Sequence, residues 1–417
     1  MVLSIIGLLA ITGIILLSST DLSDAYGETS GFCGDNLGWT YNSTSKTVTI
    51  TGSGAMWDFK DTDERWGGNP VRTIEIPAGV TYIGKGAFDG CSALQTISVD
   101  SGNTHYATTD GCLLDYSKHT FIRCPEGKTY SYGLPSGITT ITSKAFANCS
   151  SLTGITLNSN VSTIAEDAFI GCKSLTRFIN FGSNSNFSVD NDILFNSSKT
   201  KLICYPAAKS GTSYFIPESV LQIQDYAFFG TEKLNEIMVL GSNPNYSSID
   251  GILCNKNGTK MIACPSGLKT VNVPSQITSI GRACFSGNVL EGLIFSGESN
   301  VVVDAYGIYN CRLLKTITIG DGKSVSFSDS AFYYPNRYAH TITITVSAGY
   351  LVSDGAINGN VDLKYNSGST SDDSPDDQSG DNGGSDNNGL LPVAKFGVSL
   401  VLVLVAIGVM MLFLRRK

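Results

Sequence analysis

The side chains best suited to chemistry in this chain are eleven cysteines, three histidines and a scatter of carboxylates. A zinc site draws on thiolates or imidazoles paired roughly two to five residues apart. Here no C-x-x-C occurs, and His105, His119 and His340 stand far from one another. Acyl transfer, metalloprotease or phosphate chemistry would show as G-x-S-x-G, H-E-x-x-H or a glycine-rich phosphate loop, and none is present. Glu166 with Asp167, and Asp61, Asp63 and Glu64, are carboxylate groups that fall in expected turns. The sequence therefore assigns no catalytic, metal or cofactor residue, and the chain is expected not to be an enzyme. It does carry N-x-[ST] glycosylation candidates at Asn42, Asn160, Asn186, Asn196, Asn245 and Asn257. A further sequon at Asn148 fills a turn slot held elsewhere by Gly90, Gly171, Gly230 and Gly287, where positive φ and close packing are expected.

The elements that would position any such residue are repeats. Residues 71–97, VRTIEIPAGVTYIGKGAFDGCSALQTI, place apolar residues in short groups: Ile74 and Ile76, Val80 and Ile83, Ala87 and Phe88, Leu94 and Ile97. Alternation across Ile74-Glu75-Ile76 marks a half-buried strand, and Pro77 stops it because proline donates nothing to a ladder. The same pattern recurs with its phenylalanine, or a substitute, at Phe88, Phe146, Phe169, Phe228, Phe285, Ile308 and Phe332. The spacings are 58, 23, 59, 57, 23 and 24 residues, a unit of about 23 that three times carries an insert of about 35. A unit of this length with one strand and fixed apolar positions is the signature of a leucine-rich solenoid, whose units must stack because none can bury its own face. Strands are expected at Thr73–Ile76, Thr96–Val99 and Thr316–Ile319 within one continuous parallel sheet.

The three inserts align. Asn103, Asn184 and Asn243 open them, Leu113, Leu194 and Leu253 begin an apolar strand, and Pro125, Pro206 and Pro265 close them. A turn at Asn257 and Gly258, the pair favoured by a type I′ hairpin, makes each insert a short β-hairpin projecting from the solenoid. Such a projection is either a contact surface or a widening of the sheet. Before the repeats, Trp39-Thr40-Tyr41 and Thr47-Val48-Thr49-Ile50 alternate around a polar turn. With Trp57 and Trp66 this region reads as a cap that seals the first repeat, the alternative being an aromatic sugar platform.

The pattern I-x-I-P-x-x-V-x-x-I-x-x-x-A-F-x-x-C-x-x-L, carried nearly position for position by residues 71–94, resembles the BspA-like, treponemal-type leucine-rich-repeat surface proteins. The opening CGDNLGW is similar to a module often found before such repeats, and the resemblance covers residues 31 to about 346, weakening around Ile308 and Phe332. It implies a secreted or membrane-anchored surface protein used in adhesion or host contact, without catalytic residues. Cys91, Cys149, Cys172 and Cys311 occupy the cysteine position of the pattern, while Thr231, Asn288 and Pro335 replace it elsewhere. The position thus asks for a small-to-medium side chain, and the cysteines are expected to be mostly buried free thiols. Adjacent rungs, about 4.8 Å apart, would still let Cys149 and Cys172 bridge. The hairpin register sets Cys254 opposite Met261, and Cys112 opposite Arg123.

The ends complete the organisation. Residues 1–25 hold an apolar run followed by small residues and are expected to be a cleaved signal peptide, though without a basic start. Residues 26–70 form the β cap and 71–365 the repeats. Residues 366–390 are rich in Asp, Ser, Gly and Asn and read as a disordered acidic stalk. Residues 391–414 contain nineteen uncharged residues, 396–414, long enough to span a bilayer, and 415–417 are a basic cytoplasmic tail that places the repeats outside. The neighbouring Leu391-Pro392-Val393-Ala394-Lys395 departs from a sortase site at Ala394 and Lys395. A formal charge of −8 speaks against a nucleic-acid partner. The expected architecture is a mostly β leucine-rich-repeat solenoid with an N-terminal β cap and a single C-terminal transmembrane helix. Its expected function is adhesion to, or interaction with, an extracellular protein or glycan. The alternative is a passive coat or immune-decoy antigen without a defined ligand.

Overall fold

The computed structural model describes residues 29–367, apart from 61–62, 64, 181, 298–299, 321–323, 334–339, 347–356 and 359–360. The expected leader, transmembrane helix and tail, and all but the first residues of the stalk, lie outside the described residues. Among the described residues no helix is long and apolar enough to cross a membrane.

The chain opens on an antiparallel meander, Ser30–Gly34, Leu37–Asn42 and Thr47–Gly52. Its last strand pairs in parallel with Thr73–Ile76, which pairs in turn with Thr96–Val99. The cap thus turns an antiparallel edge into the first template of a parallel ladder. Trp39 and Trp66 meet edge to face at 6.0 Å within the cap's core, and the Trp66 indole donates to the Ala87 carbonyl at 3.0 Å. Trp57 alone is exposed, donating to Asp35. Two of the three tryptophans thus pack inside this core, away from any aromatic surface platform.

Each rung contributes a strand to one face. Twelve are described: Thr73–Ile76, Thr96–Val99, Tyr130–Gly133, Leu152–Leu157, Arg177–Asn180, Ser213–Ile216, Glu236–Val239, Thr270–Val273, Gly292–Phe295, Thr316–Ile319, His340–Val346 and Val361–Ser367. The three strands expected by position are all present. Alternation buries Ile74 and Ile76 and leaves Thr73 and Glu75 outward. The sheet is not continuous, however. It breaks at each insert into four ladders, so the expectation of one sheet is corrected. A second parallel ladder runs through the V-x-x-I part of the units, for example Lys260–Ala263, Ser279–Ile280, Val301–Val303 and Val325–Phe327. The A-F-x-x-C turns form the third side. All seven marker residues are buried, with Phe121, Phe146 and Phe169 stacked at 4.8 and 5.6 Å between centroids.

The inserts are three strands, not two, and they do not project. In the first, Tyr106–Thr109, Cys112–Asp115 and Thr120–Arg123 form an antiparallel meander whose last strand joins the second ladder in parallel with Thr140–Ile141. The tight type I′-like turn lies at the other end from Asn257 and Gly258. It is formed by Asp110 and Gly111 (φ 52 and 75°), Asn191 and Asp192 (46 and 68°), and Asp250 and Gly251 (51 and 76°). The loop at Asn257 is longer: the Gly258 amide donates to the Asn255 carbonyl at 2.9 Å, and only Gly258 is left-handed. Cys254 does face Met261, but a bulge sets Leu113, not Cys112, opposite Arg123.

The middle strand of each insert is buried on both faces. Leu113 packs into the core of the preceding segment, while Cys112 and Leu114 pack into the following one. Leu194 and its neighbours Ile193 and Phe195 divide in the same way, as do Leu253 and its neighbours Ile252 and Cys254. The unbroken apolar runs C-L-L, I-L-F and I-L-C are what a strand sandwiched between two cores requires. Each insert is a wall between core segments.

Candidate functional site

In the seven marked units the central pair, Ala-Phe in five and Cys284-Phe285 or Gly307-Ile308 in the other two, turns inward, which leaves the residue before the pair and the residue after it on the outer side of the turn. The preceding residue takes positive φ in most copies, including Lys144 (56°), Tyr226 (61°), Ala283 (59°), Tyr306 (58°) and Ser330 (60°). Early units place Gly86 and Asp89, Lys144 and Ala147, or Asp167 and Ile170 at these two positions. Later units place Tyr226 and Phe229, Ala283 and Ser286, Tyr306 and Tyr309, and Ser330 and Tyr333.

The small pair Ala283 and Ser286 lets rings from the units on either side meet across it. Tyr226 and Phe229 contact Tyr309 at 5.6 and 6.0 Å, and Tyr309 stacks on Tyr333 at 5.6 Å with planes 6° apart. Tyr306 packs edge-on against both Tyr309 and Tyr333. Tyr309 is thereby buried, while the other rings keep part of their surface. The Arg282 guanidinium lies over Tyr306 at 5.1 Å and over Tyr226 at 5.9 Å, and its Nε is 3.3 Å from Asp225. Cation–π contact of this kind fixes the arginine against the rings without removing its outer donors. Burial, opposed by Arg282, raises Tyr226 above the ordinary phenol range, so its hydroxyl stays protonated. A hollow of about 160 Å³ opens beside these rings, with Lys144, Asp167 and Ile170 on its other wall. Lys144 is held by Asp89 at 3.4 Å, and Asp167 accepts the Ser143 hydroxyl at 2.7 Å.

Among the described residues no three His, Cys, Asp or Glu side chains converge as a metal site. All eleven cysteines are unpaired, and all but Cys204 are buried. Burial pushes Cys91, Cys204, Cys254 and Cys311 up to about 12, far from a nucleophilic thiolate at neutral pH. At the recurring position, Cys172 and Cys311 donate to the phenylalanine carbonyl of the preceding unit, and Thr231 to that of its own. Asp167 sits in the tyrosine-lined hollow, whereas Asp63 accepts the Lys60 amide in the cap's loop; Asp61 and Glu64 lie outside the described residues. Asn42, Asn160, Asn186, Asn245 and Asn257 are exposed. Asn196 is half-buried, with its amide donating to Ser198 and Thr200 while its oxygen accepts the Lys201 amide. Asn148 has the expected positive φ of 58°; its side chain is exposed, while its backbone lies against Gly171, where an added Cβ would stand 3.1 Å from the Asn148 Cα. The aromatic face was not anticipated. Its signal lies in the two columns flanking the marker phenylalanine, which turn aromatic only from Tyr226 onward.

Stacked parallel rungs with an inward A-F-x-x-C turn define a leucine-rich-repeat solenoid. The chain belongs to the family described as the BspA type leucine rich repeat region, whose profile matches residues 66–201, 116–250 and 201–337. It is similar to a leucine-rich repeat protein from Eubacterium ventriosum at 20% identity, covering 78% of this chain and 86% of that one with a TM-score of 0.42. The pneumococcal vaccine antigen PcpA is 17% identical over 83% of this chain and 100% of that one, with a TM-score of 0.35. A leucine rich cell surface protein from Faecalibacterium prausnitzii is 19% identical over 82% and 95%, with a TM-score of 0.31. No curated protein matches the chain.

Proposed function

We propose that the chain is a non-enzymatic cell-surface interaction protein that holds a macromolecule of a host or neighbouring cell against its solenoid. The observation that carries this reading is the aromatic face of Tyr226, Phe229, Tyr306 and Tyr333 with Arg282. It sets partly exposed rings and a stacked guanidinium on a rigid, repeat-built scaffold, the residue types that dominate recognition surfaces. Membership of a BspA-type repeat family supports a role in protein interaction or as a surface antigen. The apolar run at 396–414 with its basic end supports display on one C-terminal span, after removal of a leader within residues 1–25. The exposed sequons Asn42, Asn160, Asn186, Asn245 and Asn257 are the acceptors this reading favours; Asn196 is not, because it is half-buried with its amide held at 3.0 and 2.9 Å inside its own turn.

The test is made on intact cells displaying the full chain. Added protease should release the repeats, and displaying cells should attach to a cell layer better than cells lacking the chain. Protected repeats would sink the topology. Released repeats without any gain in attachment would leave a passive coat.

A further inference from the structure

We propose, resting on the interaction reading above, that the hollow between Tyr226, Tyr306 and Arg282 takes one sugar unit of a neutral, hydroxyl-rich polysaccharide. Size is the first argument. About 160 Å³ is well below the roughly 300–1,000 Å³ of pockets that enclose a whole small ligand, so the occupant is one unit of a longer chain. A second hollow, of about 250 Å³, adjoins Phe229 and gives that chain somewhere to continue.

Charge is the second argument. Each cation at the hollow already faces a carboxylate: Lys144 has Asp89 at 3.4 Å, and Arg282 has Asp225 at 3.3 Å. Asp167 adds a further negative charge on the wall. An anionic sugar or a phosphate would have to displace these partners and then lie beside Asp167, so a neutral unit fits better.

The third argument is the mixture of polar types. Guanidinium and ammonium groups only donate, a carboxylate only accepts, and a phenol does both. Neighbouring sugar hydroxyls, each donor and acceptor at once, satisfy such a set. The C–H face of the ring covers the exposed parts of Tyr226 and Tyr306. A proline-rich segment, the other common occupant of aromatic grooves, has no side-chain donor for Asp167 and no acceptor for Arg282 beyond its backbone.

The test uses the purified full-length chain in detergent micelles on an array of a β-glucan, a galactomannan and N-acetylglucosamine oligomers. Heparin, a sialylated glycan and a proline-rich peptide serve as comparators. At least one neutral glycan should be retained. Arg282→Gln and Tyr306→Ala should each weaken retention about tenfold, the effect expected when one contact at the centre of a site is cut away. Tyr306→Phe, which keeps the ring, should lose much less, and Lys315→Gln, exposed elsewhere, should lose nothing. Unchanged melting of each variant shows that it has folded. Retention of heparin, the sialylated glycan or the peptide in preference to every neutral glycan overturns the assignment. So does equal retention by the Arg282 and Tyr306 variants. If displaying cells attach yet no neutral glycan binds or competes, the sugar assignment falls and the interaction role stands; if cells do not attach and nothing binds, both fall.

Discussion

Asn103 and Asn243 are buried, and each uses its whole amide. The Asn243 nitrogen donates to the carbonyls of Pro217 and Val220 at 3.1 and 3.0 Å, and its oxygen accepts the amides of Asn245 and Tyr246 at 2.9 Å. Asn103 and Asn184 repeat this pattern. Asn243→Asp would set a carboxylate oxygen against two carbonyl oxygens, and should cost at least about 2 kcal/mol in denaturant unfolding. A second residue-scale device is the buried Arg123, within 3.1 Å of Asp89 and 2.8 Å of Glu126. Burial alone would raise Asp89, but Arg123 and Lys144 outweigh it and hold the carboxyl below its usual range. A depressed carboxylate stabilises the fold above its unfolded value, near pH 4, and loses that contribution as pH falls through the lower folded value. Wild type should therefore be more stable than Asp89→Asn at neutral pH, with the gap closing below about pH 4 in paired thermal melts. Phe88→Ala, which leaves a cavity in the first core segment, should cost about 3–5 kcal/mol; a loss under about 1 kcal/mol would mean that the ring is not part of the core.

At the scale of elements, the inserts change their meaning. The repeat period and the strands Thr73–Ile76 and Thr96–Val99 were legible because alternation and proline stops are local signals. The role of Leu113, Leu194 and Leu253 was not, because an apolar run does not say which core each side chain enters. The type I′ turn was misplaced for a related reason. Asn257 and Gly258 are a familiar turn pair, whereas Asn191 and Asp192 take the same positive φ without a glycine. The Gly111, Asp192 and Gly251 carbonyls accept the amides of Ile97, Phe178 and Ile237 at 2.8, 2.9 and 2.7 Å, which ties each insert to the strand before it. Excising residues 184–206 should therefore abolish the cooperative melt by exposing two cores at once. A well-folded deletion would restore the picture of dispensable projections. Gly251→Val, at φ 76° and with a new Cβ 3.1 Å from Glu236, should cost at least about 1–2 kcal/mol.

For the whole molecule, segmentation bears on where the proposed binding would take place. The inserts commit their middle strands to the interior, and the proposed binding face is the turn side, where Ala283 and Ser286 let rings from units on either side gather around Arg282. That face escaped the sequence reading because it depends on which columns become neighbours after stacking. Two small residues matter as much to it as the tyrosines do. The most direct measurement compares two full-length variants on cells attaching to a cell layer under flow. One carries Arg282→Gln with Tyr306→Ala on the turn side, and the other Tyr116→Ser with Asn257→Ser at exposed insert loops. With equal display, the first should lose most of its attachment, about tenfold or more, and the second should match wild type. Attachment that survives the first pair and disappears with the second would contradict the account and return binding to the inserts.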